Sequence, residues 1–193
     1  AITRVASALK NEGVEQDVPL SKLTSFHIGG NAALVVRPQS EEALLFALSA
    51  MRAERCPYHV LGNGTNVLAP DEGFAGAIVR IDREWAAPRF CGALVTADAG
   101  MRLSRLVDAV LDAGLMGLES LCGIPGTVGG AVAMNAGAYG ALISDHIKCV
   151  RILCGGRVYE EKTRPSDFGQ RRSRFAAPDV VVLSATFALP RDD

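Results

Sequence analysis

The sequence lacks a dominant charge. Its 193 residues carry 20 Lys and Arg against 21 Asp and Glu, a net charge of −1, which gives no long-range pull toward nucleic acid or an anionic membrane. No apolar run approaches the roughly 20 residues of a membrane helix, and no basic segment followed by an apolar stretch opens the chain, so the expectation is a cytoplasmic protein. Aromatic content is only 6%, with a single Trp85. Nucleotide and hydrolase signatures are missing too: there is no Gly-Lys-Ser/Thr, no Gly-x-Ser-x-Gly and no His-Glu-x-x-His. The five cysteines (Cys56, Cys91, Cys122, Cys149 and Cys154) form no Cys-x-x-Cys pair. Their odd number argues for reduced, mostly buried thiols. His27, His59 and His146 are scattered away from them, so no metal site is expected.

What the chain has in quantity is apolar residues, 49%, and 20 glycines. Disorder is excluded, and a chain of this length buries roughly 70% of its unfolded surface, enough for one good core or two small ones.

Ile2, Val5, Ala6 and Leu9 form one helical stripe. Residues 18–25 read as extended or turn backbone, and Ala32–Val36 as a short strand. A helix follows from about Glu41 to Arg55, capped by Ser40, with Leu44, Leu45, Leu48 and Met51 as its buried stripe and Pro57 as its stop. Tyr58–Leu61 and Ala77–Ile81 are strands. The charged stretch Asp82–Arg89 marks a subdomain boundary, giving units 1–82 and 83–193. The second begins with a strand at Ala93–Ala97 and a helix on Leu103, Leu106, Val107, Val110 and Leu111, closed by Gly114. Strands follow at Ile147–Leu153, Arg157–Glu160 and Val180–Leu189, with Gly155-Gly156 as a hairpin turn. The fold class is α+β, α/β-like in its first half.

Two segments are too rich in glycine to be ordinary connections: Gly62-Asn63-Gly64-Thr65-Asn66-Val67-Leu68 and Gly123-Ile124-Pro125-Gly126-Thr127-Val128-Gly129-Gly130. Glycine backbone approaches a ligand closely, and successive N–H groups can surround a phosphate. Either segment alone reads more readily as a tight turn; two in one small chain shift the reading toward a pyrophosphate site. A Rossmann turn does not fit, because position 67 is Val where the third glycine belongs and no long helix follows.

These residues resemble a known family. Leu61–Leu68 with Asp71-Glu72-Gly73-Phe74 is similar to the first flavin loop of the UDP-N-acetylenolpyruvoylglucosamine reductase (MurB) family. Thr24-Ser25-Phe26-His27-Ile28-Gly29-Gly30 resembles its N-terminal signature. Gly117–Gly130 and Met134-Asn135-Ala136-Gly137-Ala138-Tyr139-Gly140 resemble its longest one. Phe168–Phe175 and Leu183–Phe187 continue the likeness in order.

The resemblance implies the two-subdomain FAD-binding fold of the vanillyl-alcohol-oxidase or PCMH type, with FAD between the subdomains. It marks as cofactor-binding the residues Gly62, Asn63, Gly64, Thr65, Asn66, Val67, Leu68, Gly123, Ile124, Pro125, Gly126, Thr127, Gly129, Gly130, Asn135, Gly137 and Ala138. The implied reaction is reduction of an enolpyruvyl ether on UDP-N-acetylglucosamine, with NADPH as hydride donor, in peptidoglycan synthesis. Arg171 stands at the arginine of the family's Tyr-Arg-x-Ser pattern and is the implied catalytic residue, pairing with the substrate carboxylate and stabilising developing enolate charge. On pattern alone, Arg164, Arg171, Arg172 and Arg174 read equally as a solvated basic edge beside Asp167.

Gln170 replaces the pattern's tyrosine. The family's C-terminal substrate domain, which carries its proton-donating serine and most UDP-sugar contacts, does not follow Leu189-Pro190-Arg191-Asp192-Asp193. The chain is therefore expected to bind flavin without completing the reaction alone. The alternatives are a truncated, non-catalytic flavin- or nucleotide-binding paralogue and a flavin oxidase of the wider superfamily. The second is disfavoured because neither loop offers a histidine for covalent attachment and only Cys122 borders one.

Overall fold

The computed structural model describes residues 1–10 and 13–191; Asp192 and Asp193, named above at the chain end, lie outside the described residues. The chain divides into two compact units, Ala1–Ile81 and Asp82–Asp193.

The first unit contains α1 (Ile2–Ala8), β1 (Val14–Pro19), β2 (Asn31–Val36), α2 (Glu41–Ala53), β3 (Tyr58–Leu61) and β4 (Phe74–Arg80). Its sheet order is β1-β2-β4-β3, with β1 antiparallel to β2 and both β2 and β3 parallel to β4. The start of β1 escapes the sequence reading because Glu15, Gln16 and Asp17 are exposed on an edge strand with no apolar alternation. Helix α2 begins where expected: the Ser40 hydroxyl accepts the Ala43 N–H at 3.1 Å, a cap worth about 1 kcal/mol. Its buried face is Leu44, Ala47, Leu48 and Met51. Leu45 is only half-buried, because it lies one residue, about 100°, round from Leu44. Leu20, Leu23, Ala32, Val35, Leu61, Ala69 and Ile78 form a core cluster around the sheet.

The second unit contains β5 (Arg89–Cys91), β6 (Leu94–Asp98), α3 (Leu103–Asp112), α4 (Val128–Met134), β7 (Gly137–Ala138), β8 (Ala141–Leu142), β9 (Ile147–Cys154), β10 (Arg157–Lys162), β11 (Phe168–Gly169), β12 (Arg172–Ser173) and β13 (Val180–Ala188). Five strands make an antiparallel sheet in the order β10-β9-β13-β6-β5. Strand β13 runs near its middle and buries Val181, Val182, Leu183, Ala185 and Phe187, a continuous run because both its faces are covered. Helix α4 packs on it. The β9–β10 hairpin turns at Gly155 and Gly156, at φ 57° and 83°, as a two-residue turn of the primed kind demands. Helix α3 buries Leu103, Leu106, Val107 and Val110. Leu111, expected in that stripe, is 46% exposed, one step round the helix from Val110.

All five cysteines are free thiols, but only Cys56 is buried. Cys91 and Cys122 are exposed, correcting the expectation of mostly buried thiols: Cys91 sits on β5, a fully exposed edge strand, and Cys122 opens a glycine loop. Among the described residues no helix is long and apolar enough to cross a membrane, and no group of three His, Cys, Asp or Glu could hold a metal ion.

Two outcomes test this packing. Leu48→Ala removes a fully buried side chain from α2 and should cost about 2–5 kcal/mol in chemical denaturation. Burial also pushes the Cys56 thiol above its ordinary pKa. Iodoacetamide at pH 8 should therefore label Cys91 and Cys122 first and Cys56 only after unfolding, as read by peptide mapping.

Candidate cofactor and substrate site

The first glycine loop leaves β3 and is shaped by the segment Leu23–Gly30 of the same unit. Gly64 adopts φ 68°, and an ideal Cβ on it would stand 2.1 Å from the Leu23 carbonyl oxygen, so no other residue fits this close approach. The Ser25 N–H donates to the Gly64 carbonyl at 3.0 Å, and the Ser25 hydroxyl lies 3.5 and 3.4 Å from the carbonyls of Gly64 and Thr65. Those acceptors are thus turned inward. The N–H groups of Gly62, Asn63, Gly64 and Asn66 meet no acceptor among the described residues. No residue from Gly62 to Leu68 is charged. Val67 and Leu68 stand in the open, Leu68 at 72% exposure.

The second glycine segment is more tightly spent on its own fold. It runs into α4, whose N-cap is Thr127, 2% exposed, its hydroxyl accepting the Gly130 N–H at 3.3 Å. The Gly129 N–H donates to the Ala99 carbonyl at 2.8 Å, the Val128 N–H to Met101 at 2.9 Å and the Ile124 N–H to Leu121 at 3.0 Å. A Cβ on Gly129 would come within 2.8 Å of the Ala99 Cβ, so this glycine serves close packing. Pro125 has no N–H to offer. The N–H groups of Gly123, Gly126 and Thr127 remain without an acceptor among the described residues. The expectation of a run of free donors therefore narrows to these three, because the Leu121 carbonyl, the carbonyls of Ala99 and Met101 after β6, and the Thr127 cap of α4 take the others.

Asn135, Gly137, Ala138 and Arg171 come together on one cavity of about 950 Å³ within the second unit. No residue from Gly123 to Gly130 lines it. Its walls include Tyr139, Asp145, Arg164 and Phe168, to which the sequence reading assigned no site role. Tyr139 and Phe168 belong to the quoted Met134–Gly140 and Phe168–Phe175 blocks, and Arg164 to the basic edge; Asp145 carries no local signal. Three residues on this cavity are non-glycines with positive φ: Asn135 at 44°, Tyr139 at 54° and Arg171 at 54°. Such conformations cost about 1–2 kcal/mol each for ordinary side chains and gather at functional sites. Asn135 tolerates its conformation best, as the left-handed cap of α4. It is 2% exposed, its Nδ2 donates to the Gly169 carbonyl at 3.1 Å, and its Oδ1 has no partner among the described residues.

Arg171 sits at the tip of the β11–β12 hairpin, where Gly169 pairs with Arg172 and Gln170-Arg171 form a two-residue turn. Its guanidinium is exposed and makes no hydrogen bond or ion pair among the described residues. Arg174 differs. Its Nε lies 2.9 Å from Asp167 Oδ1, it pairs with Glu161, and its guanidinium lies 4.5 Å from the Phe175 ring centroid. Burial opposes its charge, but the bonds and charges of Glu161 and Asp167 outweigh that and hold its pKa above the ordinary value. The basic edge is thus not uniform: Arg174 is neutralised within the fold and Arg171 is available to a ligand.

Comparison with known proteins places the sequence. Residues 32–159 match the FAD_binding_4 family, described as FAD binding domain. The chain is 37% identical to the UDP-N-acetylenolpyruvoylglucosamine reductase of Clostridioides difficile, over 94% of this chain and 60% of that protein. It is 40% identical to the one of Caldicellulosiruptor bescii, over 94% and 58%. The crystal structure of UDP-N-acetylenolpyruvylglucosamine reductase (MurB) from Thermus caldophilus superposes with a TM-score of 0.77 at 32% identity, covering 94% of this chain and 64% of that one. The chain spans about 60% of the length of the relatives it matches. The α+β architecture expected from the motifs is that of this solved structure. By the family match over residues 32–159, the chain belongs to the FAD-binding domain family, and its cofactor is FAD.

Proposed function

We propose that the chain is the FAD-binding part of a UDP-N-acetylenolpyruvoylglucosamine reductase, which reduces the enolpyruvyl ether of a UDP-sugar with NADPH as hydride donor. The observation that carries this reading is the Gly62–Asn66 loop, where the N–H groups of Gly62, Asn63, Gly64 and Asn66 have no acceptor among the described residues while the carbonyls of Gly64 and Thr65 face Ser25. A pyrophosphate carries two negative charges and needs several converging donors. With no carboxylate in the loop to repel it, the backbone fits that group. Within the second unit, the N–H groups of Gly123, Gly126 and Thr127 are unspent donors of the same kind. Bound FAD supplies the hydride-transfer chemistry.

Arg171 has the substrate role. A guanidinium unspent on the protein can pair bidentately with the enolpyruvyl carboxylate and stabilise the negative charge that develops beside it. The cavity that holds Arg171 also has Arg164, the exposed ring of Tyr139 and one carboxylate, Asp145, on its walls; with Asp145 accepting the Leu142 N–H, the two arginines leave a lining suited to an anionic ligand with a flat ring. Gln170 beside Arg171 replaces a phenol with an amide, so contacts at that position differ from the common family pattern.

Titration of the flavin-free chain with FAD, followed by quenching of flavin fluorescence, should show saturable binding and a yellow protein. A chain that leaves added FAD unperturbed overturns the reading. Gly64→Ala should weaken FAD binding about tenfold, the equivalent of placing a side chain in a left-handed conformation. NADPH should bleach the bound flavin, and reoxidation by the enolpyruvyl substrate separates a reductase from a binding module.

A further inference from the structure

Arg171 pays a conformational penalty to stand at a hairpin tip, and the hairpin has only two residue pairs. So short a ribbon does not fix its own tip. Two hydrogen bonds from the end of α4 do. Asn135 Nδ2 donates to the Gly169 carbonyl at 3.1 Å, on β11, and Ser173 Oγ, on β12, donates to the Ala133 carbonyl at 2.9 Å. The bonds fall on opposite strands, on either side of the Gln170-Arg171 turn. One bond alone would leave the hairpin free to swing about it; two, from residues 133 and 135 of the same helix end, fix its tilt. Ser173 is held in turn, since its Oγ accepts the Phe175 N–H at 3.2 Å.

The cost borne by Asn135 argues the same way. Glycine would close α4 in the left-handed conformation without a buried polar side chain. Asparagine leaves Oδ1 buried and without a partner among the described residues, a penalty unrelated to capping. What it provides beyond glycine is the Nδ2 bond to Gly169.

We propose that Asn135 and Ser173 are positioning residues for Arg171: together they clamp both strands of the Phe168–Ser173 hairpin to the end of α4 and so aim the guanidinium at a carboxylate in the cavity. This rests on the assignment of Arg171 to the substrate carboxylate.

The FAD-loaded chain is titrated with 2-methoxyacrylate, the smallest enol-ether carboxylate, and the dissociation constant is read from its vinyl protons by ligand-observed NMR. Arg171→Gln should remove most of the affinity. Asn135→Gly, which keeps the cap, and Ser173→Ala should each weaken binding about 3- to 10-fold, the scale of one lost hydrogen bond. Ser173→Thr, which keeps the hydroxyl, should bind like the parent. The Ser173 variants should keep the parental FAD affinity, every variant is compared at saturating FAD, and the Arg171 Nε–Hε order parameter should fall in the two weakened variants. If Arg171→Gln binds the probe as the parent does, the carboxylate assignment fails. If Arg171→Gln loses binding while Asn135→Gly and Ser173→Ala keep parental affinity and Arg171 order, the positioning role fails. Should Asn135→Gly not fold, the Ser173→Ala and Ser173→Thr pair decides the matter in the same way.

Discussion

An anion can be held by backbone only where carbonyl oxygens are turned away from it, and in the first unit that condition is met by one contact between two chain segments. The Leu23 carbonyl occupies the space a side chain at position 64 would need, and Gly64 alone allows the loop to lie that close. Once it does, the Ser25 N–H and hydroxyl face the carbonyls of Gly64 and Thr65 and take them out of play. Leu20, Leu23 and Leu61 anchor both segments in the same core cluster, so hydrophobic burial sets the distance at which this exchange happens. The loop's polarity toward a ligand is therefore a consequence of packing behind it.

The second unit reaches a comparable end by different means. Its glycine segment is stitched to residues 99–103 through the N–H groups of Val128, Gly129 and Leu103, which fixes where α4 begins. The short helix then delivers Asn135 and the Ala133 carbonyl to the β11–β12 hairpin. Local strain collects at the far end of that relay, in Asn135, Tyr139 and Arg171. The sheet beneath, with Phe187 and Val181–Leu183 buried in β13, supplies the stability that lets the strained positions persist.

Regular elements with their own periodicity were legible from sequence. Helix α2 is an example, where Ser40, Glu41, Glu42 and the apolar stripe all argue for one element with one start. Burial of single residues was less so: Leu45 and Leu111 are apolar but lie a step round their helices from the buried faces, and Cys91 falls on an edge strand that no local pattern announces. The glycine segments were legible as candidates, yet which of their N–H groups stay unspent depends on acceptors such as the carbonyls of Ala99 and Met101, far away in the sequence. Asp145 and Arg164 on the cavity wall are of that kind too, brought there by topology.

The two arginines of the Arg171–Arg174 segment show why a basic cluster cannot be read as one feature. Both belong to the same motif, but the chain turns between them. Arg174 follows β12 and meets carboxylates at 161 and 167 and the Phe175 ring, so its charge is answered inside the protein. Arg171 precedes β12 on a turn that glycine would enter at less cost, and the fold gives it no carboxylate. A cation left unanswered in a strained conformation adds nothing to folding: it forgoes the ion pair and keeps the strain. Selection for stability alone would have put glycine or asparagine at that turn. On the proposed assignment the counter-charge arrives with a ligand, and the neutralised Arg174 then has a second consequence. It leaves Asp167 and Glu161 engaged with Arg174, and Asp145, the carboxylate on the wall of Arg171's cavity, accepts the Leu142 N–H at 2.8 Å.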